Sequence, residues 1–245
     1  MPTDIDTPSR PPRIEIIDAL RGLAVILMVI HHALFDAWQF LGAPSWVFWN
    51  PVFEPLHNLF AGVFIALAGV SSRFSRSNWR RGGMCALAAM LVTFVTSFMG
   101  ETVKFGILHL LASCMLVYAL CEEVFKKILQ RPKPNPRFGV AWVALIVGSA
   151  IFVARTYFNF PAAWLFGWYP ENYHFTDDFP LLPWAFVYGF GTWLGRYIRE
   201  RRFPARFYDA RVPVLPAVGR RSMVIYLLHQ PILFGIVQVI LAVRG

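Results

Sequence analysis

Charge is scarce in this sequence. Only 15% of its 245 residues are Asp, Glu, Lys or Arg, against about a quarter in a soluble globular domain. Cysteine is scarce as well: Cys85, Cys114 and Cys121 are all there are. Cys114 and Cys121 fall in one expected helix, about 10 Å apart at 1.5 Å per residue, too far for a disulfide. All three read as small apolar packing residues. No C-x-x-C or zinc spacing occurs, and neither H-x-x-x-H nor H-E-x-x-H is present, so no metal is expected. Also missing are a Gly-rich phosphate loop, a Walker motif, a G-x-S-x-G elbow and any internal repeat.

Apolar side chains are abundant instead. They make up 57% of the chain, aromatics make up 16%, and there are nine Trp and twenty-three Phe. That composition belongs to a membrane protein, since aromatics suit lipid and its interfaces. A bilayer core takes about 20 mainly apolar residues per helix. Seven such segments are expected, near 16–41, 52–70, 83–99, 105–124, 138–154, 181–198 and 222–243. The second is the least apolar, because Glu54, His57 and Asn58 stand in its first turns. The fold class is therefore all-α, a polytopic transmembrane helical bundle. Residues 1–13 are polar and proline-rich and read as a disordered cytoplasmic tail; 14–245 form a single transmembrane domain. The first apolar run is too long for a signal-peptide core and no small-x-small site follows it, so it reads as an uncleaved anchor.

The formal net charge is +9, and its distribution explains it. Arg10 and Arg13 precede the first segment. Arg73, Arg76, Arg80 and Arg81 lie between the second and third. Lys126, Lys127, Arg131, Lys133 and Arg137 lie between the fourth and fifth, and a run of arginines from Arg196 to Arg221 separates the sixth from the seventh. The alternate connections carry only Lys104, Arg155 and the terminal Arg244. The positive-inside rule then sets the N-terminus in the cytoplasm and the C-terminus outside. No nucleic-acid partner is needed. The long fifth connection, "TYFNFPAAWLFGWYPENYHFTDDFP", is aromatic and holds Glu171, His174, Asp177 and Asp178. Loops of that length are often functional, and its aromatics suit a flap on the membrane surface.

Ionisable residues inside such segments cost about 2.5–3.5 kcal/mol each at mid-bilayer, so each is a candidate for function. In "IDALRGLAVILMVIHHALFDAWQF" Asp18 and Asp36 are about five helical turns apart and share a face with Arg21 and His32. His31 points roughly 100° away from His32. His32 and Asp36, one turn apart, are the candidate catalytic pair, because a carboxylate one turn away can fix an imidazole's tautomer and raise its basicity. The alternative for them is an interhelical packing hydrogen bond. At the same outer depth lie Glu54, His57, His109 and Asp178, the candidate substrate-binding residues. Such a cluster suits a proton path, a metal site or an acid–base site. Asp18 and Arg21 at the cytoplasmic end, and His229 in "SMVIYLLHQPILF", are candidate donor-side residues; a structural ion pair and a proline-kink contact are their plainer readings. Pro231 is expected to kink the seventh helix. Ala61, Gly62, Ala66, Gly69 and Ser71 suit close helix packing.

The stretches "RIEIIDALRGLAVILMVIHHALFD", "FIALAGVSSRFS", "FGILHLLASCML", "DDFPLLPWAFVYGFGTWLG" and "GRRSMVIYLLHQP", in this order, resemble the bacterial membrane proteins once grouped as domain of unknown function 1624. That group is classed with the catalytic domain of heparan-α-glucosaminide N-acetyltransferase. "YLLHQP" also resembles the wider acyltransferase-3 group. The resemblance implies a bacterial inner-membrane acyltransferase. It would move an acyl group from cytoplasmic acetyl-CoA to a hydroxyl or amine of an extracytoplasmic sugar or lipid-linked acceptor. Acyl-CoA would be a co-substrate, with no tightly bound cofactor. Its partners would be the bilayer and the acceptor, and a homo-oligomer is compatible with it. The family's eukaryotic member uses a histidine just after its first helix. The matching stretch here, "LGAPSW", puts Ala43 at that position, and His32 falls on an asparagine that lines the relative's site. His32 is then the candidate base or transient acyl carrier. Two other classes fit the same polar stripe: a proton-coupled transporter or flippase, and a non-catalytic membrane partner. No inverted symmetry favours the transporter.

Overall fold

The computed structural model describes residues 13–98, 102–124, 135–171 and 177–244. Among these residues all regular structure is helical. Seven helices are long: α1 (Glu15–Leu41), α2 (Phe53–Ser72), α3 (Asn78–Phe98), α4 (Ile107–Val124), α5 (Arg137–Arg155), α6 (Leu181–Arg199) and α9 (Ser222–Arg244). Two are short: α7 (Ala205–Asp209) and α8 (Leu215–Arg220). Single 3-10 turns sit at Ser45–Val47 and Ala163–Phe166. Five helices, α1, α2, α3, α5 and α9, are long and apolar enough to cross a membrane. The remaining long helices, α4 and α6, pack among them. Leu108, Leu110, Leu111, Ala112, Cys114 and Met115 of α4 are all buried, so this helix is enclosed on more than one face, as a core helix is. Residues 1–12 of the expected tail, and Lys126, Lys127, Arg131, Lys133 and His174, lie outside the described residues.

The seven expected segments coincide with the seven long helices to within a few residues. The largest difference is at α3, expected from Gly83 and beginning at Asn78. Its first turn is held by the protein rather than by lipid: the buried Asn78 amide donates to the Ser72 carbonyl and to Glu122, each at 3.0 Å. Helix α1 ends at Gly42 (φ 72°), whose N–H returns to the Ala37 carbonyl; that left-handed cap is where glycine carries no Cβ penalty.

Close approach of backbones sets the frame. In lipid the hydrophobic effect does not drive helices together, so small residues that admit tight packing matter more. A Cβ on Gly191 of α6 would sit 2.0 Å from the Ala66 carbonyl oxygen of α2, and one on Gly69 would sit 2.2 Å from that of Tyr188. The buried Ser72 and Tyr188 hydroxyls then meet at 2.6 Å. The second tight contact is between α8 and the start of α1: a Cβ on Gly219 would lie 1.8 Å from the Asp18 carbonyl oxygen. Helices α7 and α8 have no apolar run to signal them. Pro204 precedes α7 and Pro216 lies in the first turn of α8, where a fixed φ suits a helix start. Because only Arg221 separates α8 from α9, α9 begins from a base already docked along α1.

Candidate functional site

Among the described residues, two cavities stand out in the bundle. The larger, about 1000 Å³, is lined by Arg13, Arg73, Arg76, Arg81, Arg199 and Arg220, together with the Asp18–Arg21 pair. Seven arginines thus face one carboxylate. They come from the start of α1, the α2–α3 turn, the start of α3, the end of α6 and the end of α8, so the basic residues before α1, between α2 and α3 and between α6 and α9 meet at one end. Arg21 donates to Asp18 at 2.8 Å and to the Ser71 hydroxyl at 2.6 Å, tying α1 to α2. Arg73 donates to the Tyr118 hydroxyl at 2.7 Å. Arg81 is held by Ser72 and Asn78 at 3.4 Å each. Deeper, the wall turns apolar with Phe64, Leu108, Leu111 and Met115, and reaches Tyr226. The shape suits a polyanion at the mouth with a small uncharged group farther in.

The smaller cavity, about 210 Å³, lies mainly between α1 and α2. Phe64 and Tyr226 line both cavities, so the two meet there. The polar side chains in the smaller wall are His31, His57, Asp177 and Tyr226. Asp177 arrives from the α5–α6 connection, with φ 56°, a left-handed conformation that Asp tolerates better than most residues. The Phe179 N–H donating to the Phe105 carbonyl at 3.1 Å anchors that segment to the start of α4. The Tyr226 hydroxyl donates to Asp177 Oδ2 at 3.1 Å. The Asp177 carboxylate also acts electrostatically on His57, His109 and His229.

Four of the six histidines form one chain of rings. His57 stacks on His31, centroids 4.1 Å apart and 16° between planes. His31 meets the His32 edge at 5.7 Å, and His32 meets His229 at 4.9 Å. His32 Nδ1 lies 3.0 Å from the Met28 carbonyl oxygen, and His229 Nδ1 lies 2.6 Å from that of Tyr226. A carbonyl only accepts, so both Nδ1 atoms carry a proton. One turn beyond His32, Asp36 is 1% exposed. Its two oxygens accept from Gln230 Nε2 at 3.1 and 3.2 Å. The carboxyl group's hydrogen bonds therefore run across the α1–α9 contact, to Gln230 rather than to His32.

The expected site residues divide accordingly. Asp18 and Arg21 line the larger cavity and His57 lines the smaller. His32 and Asp36 stand behind that wall, against α9. His229 lies beside His32, not at the arginine-lined end, because α8 has already carried the chain along α1 before α9 begins. Helix α9 runs through Pro231 as one helix. Glu54 is exposed in the first turn of α2 and lines neither cavity. His109 turns to α3, its Nε2 3.1 Å from the Thr93 hydroxyl. Asp178 accepts from the Tyr169 hydroxyl. Burial pushes its carboxyl up from 3.8 to about 6, with the Tyr169 hydrogen bond opposing and the neighbouring Asp177 charge adding to the rise. Among the described residues no three His, Cys, Asp or Glu side chains converge as metal ligands do. In the α5–α6 connection the aromatics pack on one another and on α5: buried Trp168 meets Phe158 at 4.8 Å and Phe152 at 5.8 Å.

Three polar wall residues, His31, Asp177 and Tyr226, are not among the candidate site residues read from the sequence. His31 points away from His32 along α1, and that direction is where His57 stands. Asp177 and Asp178 are adjacent, and nothing in "DDFP" tells which of them turns inward.

Among known proteins, no curated protein and no solved structure matches the chain. The family model described as heparan-α-glucosaminide N-acetyltransferase, catalytic, matches residues 13–231. That match runs from Arg13 on the rim of the larger cavity to Pro231, two residues past His229, and so includes both cavities and the histidine chain. The chain belongs to the heparan-α-glucosaminide N-acetyltransferase catalytic-domain family, and is an integral membrane protein of acetyltransferase-like type.

Proposed function

We propose that the protein transfers an acyl group, acetyl in the simplest case, from acyl-CoA to a hydroxyl or amine of a sugar or envelope component on the other side of the membrane. One observation carries this reading: an arginine-lined cavity and a histidine-lined cavity meet at Phe64 and Tyr226. The arginine end is cytoplasmic by the positive-inside rule, with seven spans in a bacterial inner membrane. The CoA phosphates pair with the arginines, and the thioester reaches the Phe64–Tyr226 junction. The acceptor oxygen or nitrogen attacks the thioester carbon. A C–O or C–N bond forms and the C–S bond breaks. The acceptor's proton passes to an imidazole and from there to the departing CoA thiolate.

His57 is the base this geometry favours. It lines the smaller cavity together with the Asp177 carboxylate, the kind of neighbour that orients an imidazole for proton transfer. His31 lines the same wall, but its interacting charged neighbours are histidines. His32, His229, Asp36 and Gln230 hold the ring chain in position from behind. The test uses purified protein, radiolabelled acetyl-CoA and a cell-envelope extract. In His57→Ala, label transfer falls about 10²- to 10⁴-fold, the usual worth of a general base, while acetyl-CoA still binds. Transfer by His57→Ala at the wild-type rate would overturn the assignment. A wild-type protein that binds acetyl-CoA and moves no label would overturn the transferase reading.

A further inference from the structure

The smaller cavity says something about the acceptor. Its wall is apolar apart from His31, His57, Asp177 and Tyr226. Two of its apolar residues are also on the outside of the protein: Ile30 of α1 is 46% exposed and Leu56 of α2 is 37% exposed. Both helices are long and apolar enough to cross a membrane. The cavity wall is thus continuous with the lipid-facing surface through the gap between α1 and α2. A water-borne sugar gains little from Leu27, Leu34, Phe53 and Phe60 in that wall. A hydrocarbon chain gains contact with all of them and reaches them without leaving the bilayer.

We infer that the acceptor is lipid-borne: its chain slides between α1 and α2 from the membrane, past Ile30 and Leu56, and lies in the smaller cavity. Its hydroxyl- or amine-bearing head faces His57, Asp177 and Tyr226. This rests on the transferase reading for the word acceptor, but the binding itself does not depend on transfer. The two ends of the cavity fit the two ends of such a molecule. The donor's own acyl tail is the competing occupant. It would reach the same space from Phe64 and Tyr226, and the exposure of Ile30 and Leu56 would then be unused.

The test is photolabelling of the full-length protein in nanodiscs with a hexadecyl glycoside bearing a mid-chain diazirine. Adducts are expected in the α1 and α2 peptides that contain Ile30 and Leu56. In Ile30→Trp and Leu56→Trp, labelling falls about tenfold, as expected when roughly two methylene groups lose their burial. Leu59→Trp, at a position 58% exposed but outside the cavity wall, labels like wild type. All three variants keep the wild-type melting temperature, because the substituted side chains already face outward. Labelling unchanged by both mouth variants, or absent from α1 and α2, overturns the inference. So does labelling displaced by palmitoyl-CoA but not by unlabelled hexadecyl glycoside. Acetyl-CoA binding, measured on the same samples, separates the two claims. Its loss with labelling intact sinks the donor half of the transferase reading and leaves the lipid site standing.

Discussion

The two cavities meet at Phe64 and Tyr226 and are built on opposite terms. The larger recognises by charge: seven arginines and one carboxylate border about 1000 Å³. The smaller encloses about 210 Å³ and recognises by burial, with its few polar groups gathered as His31, His57, Asp177 and Tyr226. Even their hydrogen bonding differs. Arginines of the larger cavity are oriented by hydroxyls and amides of Ser71, Ser72, Asn78 and Tyr118; Arg21 and Arg73 also meet carboxylates, Asp18 at 2.8 Å and Glu122 at 3.6 Å, and positive charge stays in excess. In the smaller, ring stacks and the Tyr226–Asp177 hydrogen bond fix geometry with little net charge. One chamber is suited to holding a charged carrier, the other to presenting a nucleophile.

The contrast predicts separable defects. His57→Ala acts on the chemical step alone: turnover drops about 10²- to 10⁴-fold while the acetyl-CoA dissociation constant stays put, as rate and binding assays on one preparation would read. Arg76→Ala does the reverse. Losing a charge-assisted hydrogen bond of about 1.5–3 kcal/mol raises that constant roughly 10- to 100-fold, with turnover at saturating donor near wild type. Rising salt acts the same way, since screening shortens to about 3 Å at 1 M; donor affinity weakens and photolabelling of the smaller cavity does not. If Arg76→Ala and His57→Ala shift the same parameter, the division is wrong.

The common frame is tested by Gly191→Ala. The added Cβ meets the Ala66 carbonyl oxygen at 2.0 Å, forcing α6 off α2 at a cost of about 1–3 kcal/mol. Since α2 contributes to both cavities, donor binding and photolabelling should weaken together as the melting temperature falls. Gln230→Ala sharpens the comparison from the other side. It strips the buried Asp36 carboxylate of its partner, costing about 1–3 kcal/mol, and Asp36→Asn on that background recovers most of it. Donor affinity is untouched in both. The smallest effect belongs to Asp178, which lines neither cavity. Its raised carboxyl favours the protonated form in the fold. The stability it contributes is full below about 3.8 and is lost as pH rises through about 6. Thermal melts of Asp178→Asn should therefore lack that fall between pH 4 and 6.

Hydropathy made the long helices legible because each is a run of some twenty mainly apolar residues between polar ends, as a membrane requires of a span and a protein core of an enclosed helix such as α4. It was silent on α7 and α8, which have no apolar run, and that silence displaced His229. Counting from Ser222 puts His229 near the arginine-lined end. Counting from Leu215, where α8 begins along α1, puts it beside His32. Helical periodicity likewise found the Asp18–Arg21–His32–Asp36 stripe but not its neighbours. It could say that His31 faces elsewhere, and not that His57 waits there. Which face of a helix meets which partner is a tertiary fact. For the same reason the His32–Asp36 spacing suggested a pair, while the fold supplied Gln230 to Asp36 and the Met28 carbonyl to His32. The arginines were legible in the sequence as clusters between apolar segments. Their convergence on a single cavity was not visible without α6 and α8 in place.

The proposed transfer requires that an acyl group, and nothing larger, pass between the two chambers at Phe64 and Tyr226. The most direct measurement uses proteoliposomes with cell-envelope extract inside and acetyl-CoA outside, labelled separately on the acetyl group and on the adenine. Acetyl label is expected in the enclosed acceptor, adenine label entirely outside as free CoA, and the transfer lost in His57→Ala. Adenine label found inside, or acetyl label entering at the same rate in His57→Ala, would contradict it.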